Sequence, residues 1–290
     1  MRALSIRRGS NSEGTDDEAP IPWWSFGKTV LAIAALRLVE MGRLALDVPL
    51  ASKPYTLRQL LQHRAGLGNY GRLADYHAAV AAGEAPWPED ELLRRTAADR
   101  LRYPPGTDWL YSNLGYLQLR RLVEAAADRP FGDALQALVL GPADARTTRL
   151  ASTPADLAGV RMGGAPGYHP GWVYHGLLVG PLGEATLVLH RLLSGALLSP
   201  ATLETMQRGH ILPQYRTADL TSPGYGLGLM TNATASGLAL FGHGGSGPGS
   251  NVAVFGAATP HGPVVAGLWS ADETLETLEA VAIALLEIGQ

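Results

Sequence analysis

The sequence predicts an α/β fold of the α+β type, in which an antiparallel sheet is flanked by helices and joined to a mainly helical second domain. Helix-length apolar segments fill the N-terminal and middle parts, whereas strand-length runs between glycine and proline turns cluster after residue 224. Runs so close in sequence favour an antiparallel meander, and a buried helix can pack on its face. We expect the sheet domain to comprise 1–50 and 190–290, the helical domain to comprise 51–189, and the active site to lie between them.

Composition narrows the classes of function. The chain has 290 residues, of which 46% are hydrophobic and 17% charged, and this is typical of a globular protein with a large core. A net charge of −3 gives no support for a nucleic-acid partner, and the lack of cysteine excludes disulfides and thiolate metal sites. No apolar stretch is long enough to span a membrane, and the N-terminus lacks the apolar segment of a signal peptide. We therefore expect a cytoplasmic protein with no membrane or nucleic-acid partner, no cofactor and no metal.

The first predicted helix is the element that organises the site. Residues 3–7 could form a short strand, and 9–22 are polar and acidic and are predicted as a loop. Residues 30–41 then carry apolar side chains on nearly every face, which indicates a buried helix. Gly42 is a natural C-terminal stop for that helix.

Ser25 and Lys28 lie at the start of this helix. Residues three apart on a helix are neighbours, with Cβ atoms about 5–6 Å apart. Burial and the helix dipole both favour a neutral lysine there, and a neutral amine can activate a serine hydroxyl as a nucleophile. The pattern is also common by chance, and a serine before a helix is usually only a cap. However, lysine occurs only at Lys28 and Lys53 among 23 basic residues, and an arginine could not give up its proton.

Helices dominate the middle of the chain and strands its end. The predicted helices are 57–62 behind Thr56 as cap, 88–99, 114–127 behind Asn113 as cap, 131–140, 183–193 and 200–208. The stretch 143–183 is rich in glycine, proline and aromatic residues and is predicted to be irregular. The predicted strands are 225–230, 237–241, 250–255 and 263–269, and an amphipathic helix at 272–288 closes the chain.

Tyr111 and Asn113 could add polar groups to a site. They immediately precede an apolar helix. A tyrosine can relay a proton, and an asparagine can bind a carbonyl or an amide. Taken alone, however, the pair favours simpler roles, in which the tyrosine packs and the asparagine caps its helix.

The stretch 241–249 is rich in glycine and includes His243. Such a segment lets a ligand approach the backbone closely and leaves N–H groups free to form an anion or oxyanion hole. It lacks the Lys-Ser/Thr ending of a phosphate-binding loop. Residues 247–249 would also suit an ordinary hairpin turn.

Together these stretches resemble the serine β-lactamase-like, penicillin-recognising family, in its class C β-lactamase and family VIII esterase branch. That family has Ser-x-x-Lys, then Tyr-x-Asn, then Lys-Thr-Gly or His-x-Gly, and here the motifs stand at 25–28, 111–113 and 243–245. Further segments that resemble the family are 57–67, 105–116 and 225–228, so that the likeness extends over about residues 23–270.

The resemblance implies a β-lactamase/transpeptidase-like fold and an acyl-enzyme mechanism. Ser25 would attack a carbonyl, Lys28 would take its proton, and Tyr111 would share that role and return a proton to the leaving group. The backbone N–H groups of Ser25 and Ser246 would form the oxyanion hole. The substrate-binding residues would be Asn113, His243, Gly244, Gly245 and Ser246, with Asn113 holding the substrate or orienting Lys28.

The sequence departs from the family pattern in two places. Only 24 residues precede Ser25, where the family usually has two strands, so we expect an edge strand to be short or absent. Gly27 replaces the usual threonine or serine before the lysine, which weakens the first helical turn by roughly 0.5–1 kcal/mol.

We therefore expect a serine hydrolase that cleaves a carboxylic ester or amide, and in the first place an esterase. His243 in place of a lysine removes a positive charge that would suit the carboxylate of penicillins and peptides. A β-lactamase, a D-amino-acid-specific peptidase and a non-hydrolytic penicillin-binding-like scaffold are the alternatives. The expected partner is a small-molecule ester or amide, and a homo-oligomer is left open.

Overall fold

The computed structural model describes residues 2–15, 18–165, 167–218 and 220–288. The strands are β1 (Arg2–Arg8), β2 (Asn11–Thr15), β3 (Pro20–Pro22), β4 (Arg149–Ala151), β5 (Leu177–Pro181), β6 (His210–Ile211), β7 (Gly224–Tyr225), β8 (Met230–Ala233), β9 (Ala239–Gly247), β10 (Ser250–Thr259) and β11 (Gly262–Ser270). Eight of them form one antiparallel sheet in the order β2-β1-β11-β10-β9-β8-β7-β6. The predicted antiparallel sheet is therefore confirmed, and β1 lies between β2 and β11 with Leu4 opposite Leu268.

The helices are α1 (Gly27–Glu40), α2 (Leu57–Leu61), α3 (Ala74–Ala81), α4 (Glu89–Arg95), α5 (Asn113–Ala127), α6 (Phe131–Leu135), α7 (Leu182–Leu193), α8 (Pro200–Gln207) and α9 (Leu275–Ile288), and α6 continues into a π-helical turn at Gln136–Leu140. Two of them, α7 and α9, cover the faces of the large sheet. On one face α7 packs so closely that a side chain at Gly267 would touch Thr186 and Leu182. On the other face Leu278 and Ala282 of α9 join a buried cluster with β9, β10 and β11.

The helix α1 is buried along almost its whole length, as the sequence predicts. Each of its residues from Gly27 to Leu36 is buried, and it packs against α5 and α6. The chain leaves the helix at Gly42, which has a φ of +69° that glycine adopts without strain. A helix that is apolar all round can be stable only inside a core, so α1 fixes the position of whatever its first turn carries.

Two stretches predicted as loop or irregular contain strands. Within 9–22 the structure has β2, whose residues are all exposed, and β3. Two strands of the large sheet, β1 and β2, thus precede α1, and the outer one, β2, is short. Within 143–183 it has β4 and β5, which form a small sheet in the order β3-β5-β4. These strands lack an alternating apolar pattern in the sequence. The strand β2 is a solvent-facing edge, and the small sheet forms between segments that are distant in the chain.

Other predicted bounds shift for local reasons. The run 225–230 is split between β7 and β8, because Gly228 turns the chain with a φ of +78°. The stretch 241–249, predicted as a glycine-rich loop, is mostly the strand β9, and only its end forms a hairpin turn into β10. The helix predicted over 88–99 ends at Arg95.

The division into two domains stays a proposal with one changed boundary. The predicted limit between 189 and 190 would cut through α7, which packs on the sheet. We propose that the sheet domain resumes at Leu182. No helix within the described ranges combines the length and the apolar character needed to cross a bilayer.

Candidate active site

Ser25 lies in a single 3-10 turn, Trp24–Phe26, that leads directly into α1. Trp24 has a left-handed backbone with a φ of +41°, a conformation that costs about 1–3 kcal/mol and persists only where its surroundings hold it. Here the Trp24 indole donates a hydrogen bond of 3.1 Å to Ser250 Oγ. The cap of α1 is Phe26, so the interpretation of Ser25 as a helix cap is wrong and its hydroxyl is available for other contacts.

Lys28 is completely buried one turn further along α1. Its Nζ lies 2.9 Å from Ser25 Oγ and 3.3 Å from His175 Nε2. Burial lowers the pKa of Lys28 well below its ordinary value, because the ammonium form loses its hydration. The neutral amine can therefore accept a proton from Ser25 across an existing hydrogen-bond distance.

Tyr111 lies beside this pair. Its ring centre is 5.1 Å from Lys28 Nζ, and its phenol hydrogen-bonds with the Ser25 side chain. Burial raises the pKa of Tyr111 above its ordinary value, and the bond to Ser25 only partly offsets this. Tyr111 is therefore a protonated phenol, suited to give a proton to a departing group rather than to act as the first base.

Ser112, and not Asn113, caps α5. Ser112 Oγ accepts a hydrogen bond of 2.9 Å from the Gly115 N–H and donates one of 2.7 Å to the Gly68 carbonyl. The predicted capping role of Asn113 is therefore wrong, since the polar residue just before it reaches the orphan N–H first. Asn113 instead lines the site cavity, with its Oδ1 buried and without a hydrogen-bond partner among the described residues.

His243 lies on β9, fully buried, and both of its ring nitrogens are engaged. Nε2 accepts a 2.8 Å hydrogen bond from the Tyr225 hydroxyl, and Nδ1 donates to the Gly244 carbonyl. Burial lowers the pKa of His243 to about 3, and the nearby Lys28 makes a smaller contribution in the same direction. The ring is therefore neutral and cannot supply the positive charge of a lysine at this position.

The glycines of β9 let the strand lie directly against the Ser25 turn, Trp24–Phe26. A side chain at Gly245 would come within 2.8 Å of the Ser25 backbone nitrogen, and one at Gly247 would collide with the Trp24 ring. Ser246, between them, is exposed to the cavity. The backbone of the strand thus reaches the place where an oxyanion hole would be needed.

These groups meet at one cavity of about 550 Å³. The predicted site residues that line it are Ser25, Tyr111, Asn113, His243, Gly244 and Ser246. Lys28 lies behind Ser25, and Gly245 is buried against the Ser25 turn. Aromatic rings form much of the opposite wall, among them Tyr70, Tyr168 and Trp172.

Sequence reasoning did not predict two buried histidines at this site. His175 lines the cavity and contacts Lys28. It lies in a stretch predicted as irregular, where the only local sequence signal is the following Gly176, which has a φ of +98° in the structure. His63 Nδ1 accepts a 3.0 Å hydrogen bond from the Ser112 N–H, and its ring lies 4.3 Å from that of Tyr111. His63 thereby supports the position of Tyr111 from behind.

Comparisons with known proteins identify the family of the chain and some of its relatives. A family model described as Beta-lactamase matches residues 8–289. Esterase EstB from Burkholderia gladioli is 35% identical over 139 residues, which cover 41% of this chain and 35% of the esterase. A D-aminopeptidase from Cereibacter sphaeroides is 28% identical over 211 residues, which cover 70% of this chain and 40% of the peptidase. The chain thus spans well under half the length of the curated relatives it matches.

A solved structure shares the fold. The octameric penicillin-binding protein homologue from Pyrococcus abyssi superposes with a TM-score of 0.80 at 20% sequence identity, over 100% of this chain and 73% of the homologue. At that identity the likeness concerns the fold, which is the β-lactamase/transpeptidase-like arrangement of sheet and helices.

Proposed function

The chain belongs to the beta-lactamase family, and on that premise we propose that it is a serine hydrolase that cleaves a carboxylic ester or amide through an acyl-enzyme on Ser25. One observation carries the proposal: the Ser25 hydroxyl stands 2.9 Å from a completely buried lysine amine at the floor of an open cavity. A serine that only packed or capped a helix would not need a proton acceptor at that distance.

The chemistry follows from the contacts of Ser25. Ser25 Oγ attacks the substrate carbonyl carbon while its proton passes to the neutral Nζ of Lys28. The oxyanion forms against the backbone N–H groups of Ser25 and Ser246. Tyr111 gives its proton to the departing alkoxide or amine and is reprotonated from Lys28. A water molecule then attacks the acyl carbonyl and gives a proton to the neutral Lys28 amine, which returns a proton to Ser25 Oγ as the carboxylic acid leaves.

We assign His175 to the positioning of Lys28. It is the only side chain besides Ser25 for which the described residues give a hydrogen-bond distance to Nζ, at 3.3 Å. Asn113, the residue predicted to hold the substrate or orient Lys28, lines the cavity, and its buried Oδ1 has no hydrogen-bond partner among the described residues. Asn113 therefore fits substrate binding better than orientation of the base.

Esters are the substrates we propose first. No lysine or arginine occurs among the described residues that line the cavity, and His243 is neutral. A substrate carboxylate, as in penicillins, would therefore find no cationic partner there. The relative named esterase EstB is consistent with this choice.

A D-amino-acid-specific peptidase or amidase is the second candidate. The relative named D-aminopeptidase matches 70% of this chain, more than the esterase does. The homo-oligomer and the cytoplasmic location stay predictions, although the octameric state of the Pyrococcus homologue makes the former worth measuring.

An acylating probe tests the proposal. We expect a fluorophosphonate to label Ser25 in the folded protein and Ser25→Ala to abolish both labelling and turnover of p-nitrophenyl butyrate. Ser10→Ala, at an exposed turn, is the matched control. A panel with nitrocefin and D-alanine p-nitroanilide ranks the ester, β-lactam and D-amide activities. Folded protein that stays unlabelled and inactive would leave the non-hydrolytic scaffold as the better interpretation.

A further inference from the structure

A second cavity, of about 930 Å³, lies beyond Tyr111, between α9 and the β7–β8 end of the sheet. Its walls are mostly apolar and aromatic, and include Trp109, Tyr215 and Phe255. Tyr111 and Met230 line this cavity and the Ser25 cavity alike. The two cavities therefore adjoin at these two side chains.

Glu279 is the unusual group in this second cavity. Its Oε1 is buried and has no hydrogen-bond partner within the described part of the chain. The carboxyl group lies directly against β9, where a side chain at Gly244 would collide with it. Gly244 also lines the Ser25 cavity, so the carboxyl group stands at the boundary between the two spaces.

Among the described residues that line this cavity, no cationic side chain accompanies the carboxyl group. The other ionisable residues that line the cavity are the acids Glu276 and Glu287 and the phenols Tyr111, Tyr215 and Tyr225, and no lysine or arginine is found among its described lining residues. Burial, with a smaller contribution from Glu276, raises the pKa of Glu279 to about 7. A buried carboxylate without a partner is costly, and the cost is removed when a cation with N–H donors binds to it.

We propose that this cavity is the leaving-group subsite and that it binds an organic ammonium, a protonated amine on an apolar body, with the Glu279 carboxylate as its counterion. That this is the leaving-group side rests on the proposed hydrolase function. On that proposal Tyr111 protonates the departing atom, and Tyr111 forms the wall that the two cavities share. The aromatic walls suit the apolar body, and rings such as Trp109 and Tyr215 also attract a cation over their faces.

A pair of isosteric esters tests the subsite. 4-(Dimethylaminomethyl)phenyl butyrate, which is protonated on its amine at about pH 8, is compared with 4-isobutylphenyl butyrate. Each kcat/KM is divided by the rate constant for alkaline hydrolysis of the same ester, so that the intrinsic reactivities of the two esters cancel. We expect the ammonium ester to be preferred about tenfold or more, since hydrogen bonds to charged groups are strong. In Glu279→Gln the preference should fall below about twofold, whereas the control Glu273→Gln, outside the cavity, should keep it.

Binding separates this inference from the proposed function. In Ser25→Ala protein, calorimetry compares 4-(dimethylaminomethyl)phenol with 4-isobutylphenol, and no catalysis is needed. Tighter binding of the ammonium that is lost with Glu279→Gln supports the subsite even if no ester is turned over. Equal affinity for the two phenols in folded protein, or a preference that survives Glu279→Gln, overturns it whatever the enzyme does to esters.

Discussion

At the scale of single residues, the site depends on which cation is buried. Lys28 is completely buried, and loss of hydration drives its pKa down, so that the amine becomes a proton acceptor. An arginine in the same place would stay charged and could not accept a proton. The chain is rich in arginine and has only two lysines, and one of them stands at this position.

Lys28→Arg should therefore inactivate the protein. We expect kcat/KM for p-nitrophenyl butyrate to fall by a factor of about 10²–10⁴, the usual contribution of a general base. Lys53→Arg, at an exposed loop position, provides the matched control and should behave as the wild type. A folded Lys28→Arg protein that kept most of its activity would show that Lys28 is not the base.

His175 gives a second prediction at this scale. His175→Ala removes the group that holds Nζ at 3.3 Å, so kcat should fall about 10–100-fold with little change in KM. His175→Gln should recover much of kcat, since its amide oxygen can accept the same hydrogen bond from Lys28. If both variants lose activity equally, or if KM changes instead of kcat, His175 does not act through the lysine.

At the scale of elements, the position of Ser25 depends on the packing of β9 against the Ser25 turn. A methyl group at Gly245 would meet the Ser25 nitrogen at 2.8 Å and Trp24 Cβ at 2.9 Å. Neither is the end of a flexible side chain, so the strand or the turn must move.

Gly245→Ala should therefore lower stability and activity together. We expect a loss of about 1–3 kcal/mol in the free energy of unfolding, measured with urea, and a large loss of esterase activity. Gly164→Ala is the control, because the added methyl group there makes only an ordinary contact at 3.7 Å. Unchanged fluorophosphonate labelling in Gly245→Ala would mean that the turn tolerates displacement.

The elements also show what the sequence could predict. The limits of α1 and α2 were predictable because their signals are local: an all-apolar run ended by Gly42, and a capping box at Thr56 and Gln59. The small sheet was not, because β3, β4 and β5 are short and because β3 pairs with β5 across more than a hundred residues of chain. His175 was missed for the same reason, since its meeting with Lys28 joins the segment before β5 to α1.

At the scale of the whole molecule, the buried Glu279 should make stability depend on pH. Its ordinary pKa of 4.5 is raised to about 7 in the folded state. The protonated form thus favours folding: its stabilisation is complete below pH 4.5 and is lost as the pH rises through about 7. The difference of about 2.5 pKa units corresponds to about 3 kcal/mol.

Urea unfolding at pH 5 and pH 8 measures this effect. We expect Glu279→Gln to have nearly wild-type stability at pH 5 and to exceed the wild type at pH 8 by about 1–3 kcal/mol. Glu13→Gln, on the exposed strand β2, should not change the difference between the two pH values. An equal effect of Glu279→Gln at both pH values would mean that the carboxyl group is not ionised on this range.

The burial of Lys28 has a consequence for the life of the chain before it is finished. While the polypeptide is being made, water reaches the amine, which carries its proton, and the neighbouring serine is as unreactive as any other. On the proposed mechanism, Ser25 becomes reactive only when folding has buried Lys28. A misfolded copy would therefore leave the surrounding esters intact, and only correctly folded protein would form the acyl-enzyme.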